Sequence, residues 1–196
     1  IGVERTGSNL HVDPCCTSAW NTLLCGLKRW VLFPPGESEQ YRERIGVAGA
    51  DAMSTGEVPP AYWWLDILPK LRKSGDADSL GMIECVQRPG ETIYVPQGWW
   101  HAVLNLGFTA AVTQNLLAPE ALGSAWPRLS TEWPDFAPRF ARELNRLRPD
   151  VELPAEARHA AAHACEGAQA LEAFSARWAE APLPRLGLPG ALEQEA

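Results

Sequence analysis

The sequence lacks an apolar run long enough to cross a bilayer. Its longest apolar stretches, such as residues 61–65, are far shorter than the roughly 20 apolar residues that a membrane-spanning helix needs. It also lacks an excess of basic residues, because 17 Lys and Arg stand against 24 Asp and Glu and give a net charge of −7. We therefore expect no membrane partner and no nucleic-acid partner, whereas a basic protein is a compatible partner.

No two cysteines have the CxxC spacing, and their total of five is odd. Cys15 and Cys16 are neighbours and cannot easily form a disulfide with each other. We interpret all five as reduced thiols that pack as small apolar side chains, which predicts a protein of the nucleus or the cytoplasm. The other three are Cys25, Cys85 and Cys165.

The β-prone residues fall in two blocks, 10–33 and 82–117, which flank a looser middle. Both blocks contain short segments between Gly and Pro turns, a pattern typical of a β-sandwich or barrel. In the second block we expect strands over residues 99–106 and 109–116, joined as a hairpin at Gly107. The length of 196 residues suits one such core.

The middle of the chain contains two predicted loops, residues 47–58 and 72–81, which are rich in small and polar residues. Between them, residues 61–68 predict a short helix, and Pro69 is expected to stop it. The helix carries three large apolar side chains, those of Trp63, Trp64 and Leu68.

The residues after Pro119 have the periodicity of helices. An apolar stripe at i, i+4, i+8 and i+11 predicts a first amphipathic helix, which offers a surface for packing or for a homodimer. A second helix is expected over residues 155–181, and a disordered tail over residues 182–196. The predicted organisation is a core over residues 1–118, a helical region over residues 119–181, and that tail. The stripe consists of Phe136, Phe140, Leu144 and Leu147, and the second helix presents Leu171, Phe174 and Trp178.

One tripeptide, His11-Val12-Asp13, places an imidazole and a carboxylate two residues apart, hence on one face of a strand. The chain has only four histidines, and His101 lies on a β-prone stretch directly after a Pro-Gln-Gly turn. Two histidines and one carboxylate on neighbouring strands form the facial triad of non-haem Fe(II) oxygenases, which leaves coordination positions open. Taken alone, the tripeptide is more often a surface pair and a single histidine more often a core residue.

The surroundings of these residues are more specific. From His11 the chain reads HVDPCCTSAWNTLLCGLKRWVLFPP, and the segment that ends at His101 reads RPGETIYVPQGWWH. The segments YWWLD at residues 62–66 and TQN at residues 113–115 complete the pattern. In this order and spacing they resemble the JmjC oxygenases, in particular the arginine demethylase and lysyl hydroxylase group of jumonji-domain-containing protein six and proteins that join an F-box to a JmjC domain.

The resemblance implies an all-β core, a double-stranded β-helix of the cupin or jelly-roll type, followed by C-terminal α-helices. Members of the family have further strands before the HxD motif, whereas only ten residues precede His11 in this sequence. We therefore expect a barrel that is N-terminally truncated.

The resemblance also implies the role of each site residue. His11, Asp13 and His101 would bind Fe(II) as the catalytic metal. Lys28 would pair with the distal carboxylate of the co-substrate 2-oxoglutarate, because a dicarboxylate inside a barrel needs a cation at its far end. Thr113 would donate its hydroxyl to the same carboxylate. The residues that would line the co-substrate pocket beside them are Asn21 and Asn115.

The implied reaction uses O₂ and converts 2-oxoglutarate to succinate and CO₂ while a C–H bond of a protein side chain is hydroxylated. By the resemblance, the substrate is a basic residue, with lysine hydroxylation first and demethylation of N-methylated arginine or lysine second. Two alternatives stay open: a non-catalytic JmjC module that binds partners, and another metal-binding cupin. The second alternative would have no need for Lys28 and Thr113.

Overall fold

The computed structural model describes residues 1–36, 38–47 and 60–163, and it contains two antiparallel sheets. A four-stranded sheet has the order β1-β6-β3-β4, and a three-stranded sheet has the order β5-β2-β7. Each sheet combines strands from both halves of the chain, as in a jelly roll, so the predicted fold class is confirmed. The strands are β1 (Gly7–His11), β2 (Ser18–Cys25), β3 (Lys28–Phe33), β4 (Ile83–Gln87), β5 (Thr92–Val95), β6 (Trp100–Asn105) and β7 (Ala110–Leu116).

Strand β3 is covered on both faces, which explains its nearly continuous apolar sequence. Because side chains alternate along a strand, Trp30 and Leu32 point to one face and Val31 and Phe33 to the other. The first pair packs between the two sheets, and the second pair packs beneath helices from the middle of the chain. The partners between the sheets are Ala19, Val95 and Val103.

Strands β6 and β7 do not form the predicted hairpin. Strand β6 pairs with β1 and β3, whereas β7 pairs with β2 in the other sheet. The short connection at residues 106–109 therefore carries the chain from one sheet to the other. The prediction was wrong because a tight turn fits both a hairpin and a sheet crossing, and only tertiary pairing distinguishes them.

The middle of the chain is more helical than predicted. A helix continues beyond Pro69, because this proline lies in the first turn of α3, where its missing N–H is not needed. Residues 72–81 are not a loop, since they contain the end of α3 and all of α4, which Gly75 separates at φ 80°. Residues 48–58 of the other predicted loop lie outside the described residues. The helices are α1 (Glu39–Arg44), α2 (Pro60–Tyr62), a π-helical turn (Trp63–Ile67), α3 (Leu68–Ser74) and α4 (Asp76–Ser79).

These helices cover the outer face of the four-stranded sheet. Trp63 is fully buried and packs edge-to-face against Phe33, with ring centroids 6.3 Å apart. The guanidinium of Arg29 lies 4.9 Å from the ring centroid of Trp64. The face that bears the site residues is therefore the inner one, toward β2, β5 and β7.

Helices follow the barrel, as the periodicity after Pro119 predicts. They are α5 (Leu122–Glu132), α6 (Ala137–Leu147) and α7 (Ala155–His163), and a short 3₁₀ turn (Pro119–Ala121) precedes them. They share a separate apolar cluster that includes Trp126, Leu129 and Leu153. Residues 164–181 of the second predicted helix, with Leu171, Phe174 and Trp178, and the predicted tail 182–196 lie outside the described residues. None of the described helices combines the length and the apolar character needed to cross a membrane.

The predicted stripe on α6 is only half correct. Phe140 and Leu144 pack against the helical cluster, but Phe136 is 44% exposed and Leu147 is 62% exposed. The most deeply buried residues of α6 are the small ones, Ala137 and Ala141, because alanine lets two helices approach closely. The ring of Phe136 stacks on that of Phe140 with centroids 5.6 Å apart.

We expect Leu144→Asp to lower the free energy of unfolding by about 1–3 kcal/mol, because it places a carboxylate against an apolar cluster. Urea unfolding followed by circular dichroism measures this change. Leu147→Asp is the matched control, since it makes the same substitution at an exposed position of the same helix. Equal stability of the two variants would contradict the packing role of Leu144.

Predictions about the cysteines are partly wrong. The four described cysteines are free thiols, but only Cys16 is buried. Cys25, the last residue of β2, is exposed, and Cys15 and Cys85 are half-buried. Cys165 lies outside the described residues.

Candidate metal centre and co-substrate cavity

Two histidines face each other across the antiparallel pair β1 and β6. His11 and His101 are direct partners in the register, and their ring centroids are 4.2 Å apart. Strand β1 ends at His11, so Asp13 is not in the strand as predicted. It keeps an extended backbone (φ −60°, ψ 142°) just before the turn Pro14–Cys16, and this extension carries its carboxylate to the two rings.

The three side chains converge on one point. Asp13 Oδ1 lies 3.8 Å from His11 Nε2 and 3.9 Å from His101 Nε2. One ligand atom from each residue lies within 4.8 Å of the other two. This spacing is too long for direct hydrogen bonds and suits a metal ion that the three residues would share.

Both imidazoles are oriented for coordination through Nε2. The Nδ1–H of His11 donates to the Asn9 carbonyl at 2.7 Å, and that of His101 donates to the Trp99 carbonyl at 3.2 Å. Since a carbonyl oxygen only accepts, these bonds fix the tautomer and leave the Nε2 lone pairs free. Desolvation by burial, together with the neighbouring His11, lowers the pKa of His101 to about 4. His101 is therefore neutral at pH 7, the form that binds a metal.

The carboxylate of Asp13 supplies an independent test of the fit. Its side chain is only 11% exposed, and its Oδ2 is buried without a hydrogen-bond partner from the protein. Such an oxygen costs free energy unless it is paired with a donor or a cation. A divalent ion at this point would satisfy it, so the residues fit a metal centre.

A cavity of about 420 Å³ extends from the triad between the two sheets. Its walls come from β1, β3 and β6 on one side and from β2 and β7 on the other. All seven residues that the sequence predicts for the site line this one cavity, namely His11, Asp13, Asn21, Lys28, His101, Thr113 and Asn115.

Lys28 lies on β3 at the end of the cavity away from the triad. Its Nζ donates to Asn105 Oδ1 at 2.7 Å, and burial lowers the pKa of the Lys28 ammonium. Among the described residues, Asp13 is the sole carboxylate that lines the cavity. Because an ammonium in a cavity is best stabilised by a counter-ion, this end is suited to receive an anion.

The opposite wall is formed by three polar side chains of β2 and β7. Asn21 pairs in register with Thr113, and its Oδ1 is buried without a hydrogen-bond partner. The Thr113 hydroxyl donates to the Trp20 carbonyl at 2.8 Å, and Asn115 Nδ2 donates to a threonine hydroxyl at 2.9 Å. The structure thus brings these residues to the cavity, while their contacts with a co-substrate stay a prediction.

Two buried residues that support the wall of the cavity were not predicted from the sequence. Trp30 is buried and stacks on the ring of His101 with centroids 6.2 Å apart. Gln87 is fully buried; its Oε1 accepts from Trp30 Nε1 at 2.9 Å, and its Nε2 donates to the carbonyls of Asn21 and Glu91. Alternation from Lys28 along β3 could have placed Trp30 in the cavity, but nothing in the sequence marks Gln87.

A second cavity of about 760 Å³ also borders the triad, because His11 lines both cavities. The 3₁₀ turn after Asp13, the connection from β5 to β6 and helix α5 contribute to its walls. Its charged lining residues in the described part of the chain are Arg42, Arg128 and Glu132.

A family model described as "JmjC domain, hydroxylase" matches residues 1–116, which is more than half of the chain and includes the entire cavity with its triad. This chain belongs to the JmjC family. The helices α5 to α7 lie beyond the matched residues.

Curated JmjC relatives agree with this assignment. "Lysine-specific demethylase JMJ21" of Arabidopsis thaliana is 49% identical over 63% of this chain and 12% of its own length. "Bifunctional arginine demethylase and lysyl-hydroxylase psr-1" of Caenorhabditis briggsae is 38% identical over 77% of the chain and 37% of its own length. "2-oxoglutarate and iron-dependent oxygenase JMJD4" of Mus musculus is 35% identical over 67% of the chain and 28% of its own length. The chain thus spans well under half the length of these relatives.

Proposed function

We propose that this JmjC chain is the catalytic core of an Fe(II)- and 2-oxoglutarate-dependent oxygenase that hydroxylates a protein side chain. The observation that carries the proposal is the single cavity that joins two histidines and a carboxylate at one end to a half-buried lysine at the other. In it, His11, Asp13 and His101 hold Fe(II), and Lys28 receives the distal carboxylate of 2-oxoglutarate.

The chemistry divides between the metal and the protein. Bound iron would supply the activation of O₂, with 2-oxoglutarate leaving as succinate and CO₂ and one oxygen atom entering a C–H bond of the substrate. The residues of this chain bind and orient. The Nδ1–H bonds hold the two imidazoles in place, Lys28 holds the co-substrate, and Asn21 offers an unpaired buried carbonyl beside it.

The second cavity provides the route for the substrate side chain. It reaches the triad at His11 without passing through the first cavity, and it is large enough for an extended lysine or arginine side chain. The names of the relatives, which include a lysyl-hydroxylase and arginine and lysine demethylases, support a basic residue as the substrate. The net charge of −7 favours a basic partner protein. We propose lysine hydroxylation first and N-methyl demethylation second.

We further propose that the protein acts in the nucleus or the cytoplasm, which the free thiols of the four described cysteines support. A homodimer through the C-terminal helices remains part of the proposal. The exposed Phe136 ring, stacked on Phe140, supports an association surface on α6.

Turnover tests the function directly. The chain would be incubated with Fe(II), 2-oxoglutarate and a library of peptides that contain lysine, N-methyl-lysine or N-methyl-arginine. We expect succinate formation and, by mass spectrometry, the gain of one oxygen atom or the loss of a methyl group. His101→Ala should abolish both, whereas Asp78→Ala, at an exposed position of α4, should not. A metal-loaded wild-type chain that forms no succinate would favour the non-catalytic interaction module.

A further inference from the structure

The far end of the cavity has a polar row that crosses three neighbouring strands. Lys28 of β3 is paired in register with Asn105 of β6 on one side and with Gln87 of β4 on the other. Because residues i and i+4 of a strand share a face, Asn105 points to the same face of β6 as His101. At about 3.3 Å per residue, their Cα atoms are roughly 13 Å apart along the strand. One strand therefore carries a triad residue at one end and Asn105 at the other.

Asn105 is held in one orientation by hydrogen bonds on both sides. Its Oδ1 accepts from Lys28 Nζ at 2.7 Å, and its Nδ2 donates to Thr6 Oγ1 at 2.9 Å. The Thr6 hydroxyl donates in turn to the Val3 carbonyl at 2.7 Å. A lysine ammonium can only donate, so the amide oxygen must face Lys28. Asn105 is 4% exposed, and this burial restricts the amide further.

The surroundings leave no room for the amide to move toward the N-terminal segment. Gly2 forms a bridge with Thr109, and a Cβ at Gly2 would lie 2.2 Å from Asn105 Nδ2. The absence of a side chain at this position lets the segment approach the amide closely.

We infer that Asn105 is the positioning residue that holds the Lys28 ammonium in the cavity, ready for the distal carboxylate of a dicarboxylate keto acid. The inference rests on the proposed function and deepens it. Asn105 accepts one of the three N–H bonds of Lys28 and leaves two for the co-substrate. Because the amide is neutral, it fixes the ammonium without cancelling the charge that recognises the anion. An aspartate of the same shape would cancel that charge.

Asn105→Asp tests this directly. The new carboxylate would form an ion pair with Lys28 and repel the co-substrate, so we expect the affinity of the Mn(II)-loaded chain for 2-oxoglutarate to fall by about a hundredfold. The comparison ligand is 2-oxopentanoate, which has the same keto-acid end and no distal carboxylate. Its affinity should stay within about threefold of the wild-type value, so the preference for 2-oxoglutarate over 2-oxopentanoate should collapse. Anaerobic calorimetric titration measures both ligands.

Two further variants make the test decisive. Gln114→Glu makes the same amide-to-acid change at an exposed position of β7, outside the residues that line the cavity, and it should leave both affinities unchanged. Thr6→Val removes the acceptor of the Asn105 amide at an exposed site and should lower the 2-oxoglutarate affinity by about three- to tenfold, without affecting 2-oxopentanoate. It replaces Asn105→Asp as the deciding variant if that protein does not fold.

The inference is overturned if Asn105→Asp keeps the wild-type preference, or if it weakens both keto acids equally, which is the mark of a purely structural residue. Failure of the proposed function gives a different result. In that case the wild-type chain itself would not bind 2-oxoglutarate, and both the proposed function and the role of Asn105 would be wrong. If the wild type binds and Lys28→Ala does not, while Asn105→Asp binds normally, only the role of Asn105 is wrong.

Discussion

Asp13→Ala should bind no Mn(II) at concentrations that saturate the wild-type chain. The reason is geometric, since His11 and His101 retain their Nε2 atoms but lose the anionic ligand that lies 3.8 and 3.9 Å from them. A pair of neutral imidazoles neither balances the charge of a divalent ion nor completes the facial triad. Calorimetric titration of the metal-free protein under anaerobic conditions measures the affinity and the stoichiometry.

Thermal unfolding gives a second measure of the same change. Metal raises the melting temperature of a protein that binds it in the folded state only, so Mn(II) should stabilise the wild-type chain and leave Asp13→Ala unaffected. Without metal, the variant should be no less stable than the wild type, because it removes a buried oxygen that has no hydrogen-bond partner. Asp78→Ala, at an exposed carboxylate of α4, is the matched control. If Asp13→Ala bound Mn(II) as tightly as the wild type, the metal would lie elsewhere.

The site was largely predictable because its residues are fixed by local spacing. The HxD motif and His101 depend on strand alternation and on two turns, both readable in the sequence, and the cavity contains all the residues that were predicted for it. The wrong placement of Asp13 inside a strand did not affect the predicted metal site. Asp13 lies past the end of β1 rather than inside it, but an extended backbone has nearly the same two-residue periodicity.

Pairings between distant segments were less predictable. The connection at Gly107 has the appearance of a hairpin turn, yet it links two sheets. The direction of the chain after β6 depends on which strands β6 and β7 pair with. No local sequence pattern specifies that pairing. The prediction at Pro69 was wrong for a related reason. A proline can follow the end of one helix or lie in the first turn of the next, and the sequence does not distinguish these two positions unless the conformation of the preceding residues is known.

Buried polar partners were the least predictable part of the site. Asn105 and Gln87 are both nearly inaccessible, yet each stands in a β-prone stretch without a motif. Their importance comes from what they contact across the sheet, at Lys28 and at Trp30. Polar residues at the end of an otherwise apolar β-prone stretch are the feature that could have revealed them, because such residues need a hydrogen-bond partner when they are buried.

Lys28→Ala should weaken the binding of 2-oxoglutarate to the Mn(II)-loaded chain by roughly a hundredfold or more. Removing one partner of a buried charge pair typically costs about 3–5 kcal/mol, and about 1.4 kcal/mol corresponds to a factor of ten. The half-buried ammonium of Lys28, at the end of the cavity away from the triad, is the basis for this expectation. Binding of Mn(II) itself should survive, because Lys28 is not among the three converging ligands.

Three comparisons define what the Lys28 result means. Lys28→Arg should rescue the affinity only in part, since the planar guanidinium does not fit a site built around a compact ammonium that donates to Asn105. Lys73→Ala removes an exposed lysine from α3 and should have no effect. The keto acid without the distal carboxylate, 2-oxopentanoate, should bind Lys28→Ala and wild type about equally well, because it has no second carboxylate for the ammonium to bind. Equal affinities of wild type and Lys28→Ala for 2-oxoglutarate would show that Lys28 does not contact the co-substrate, and would favour a metal-binding cupin of another kind.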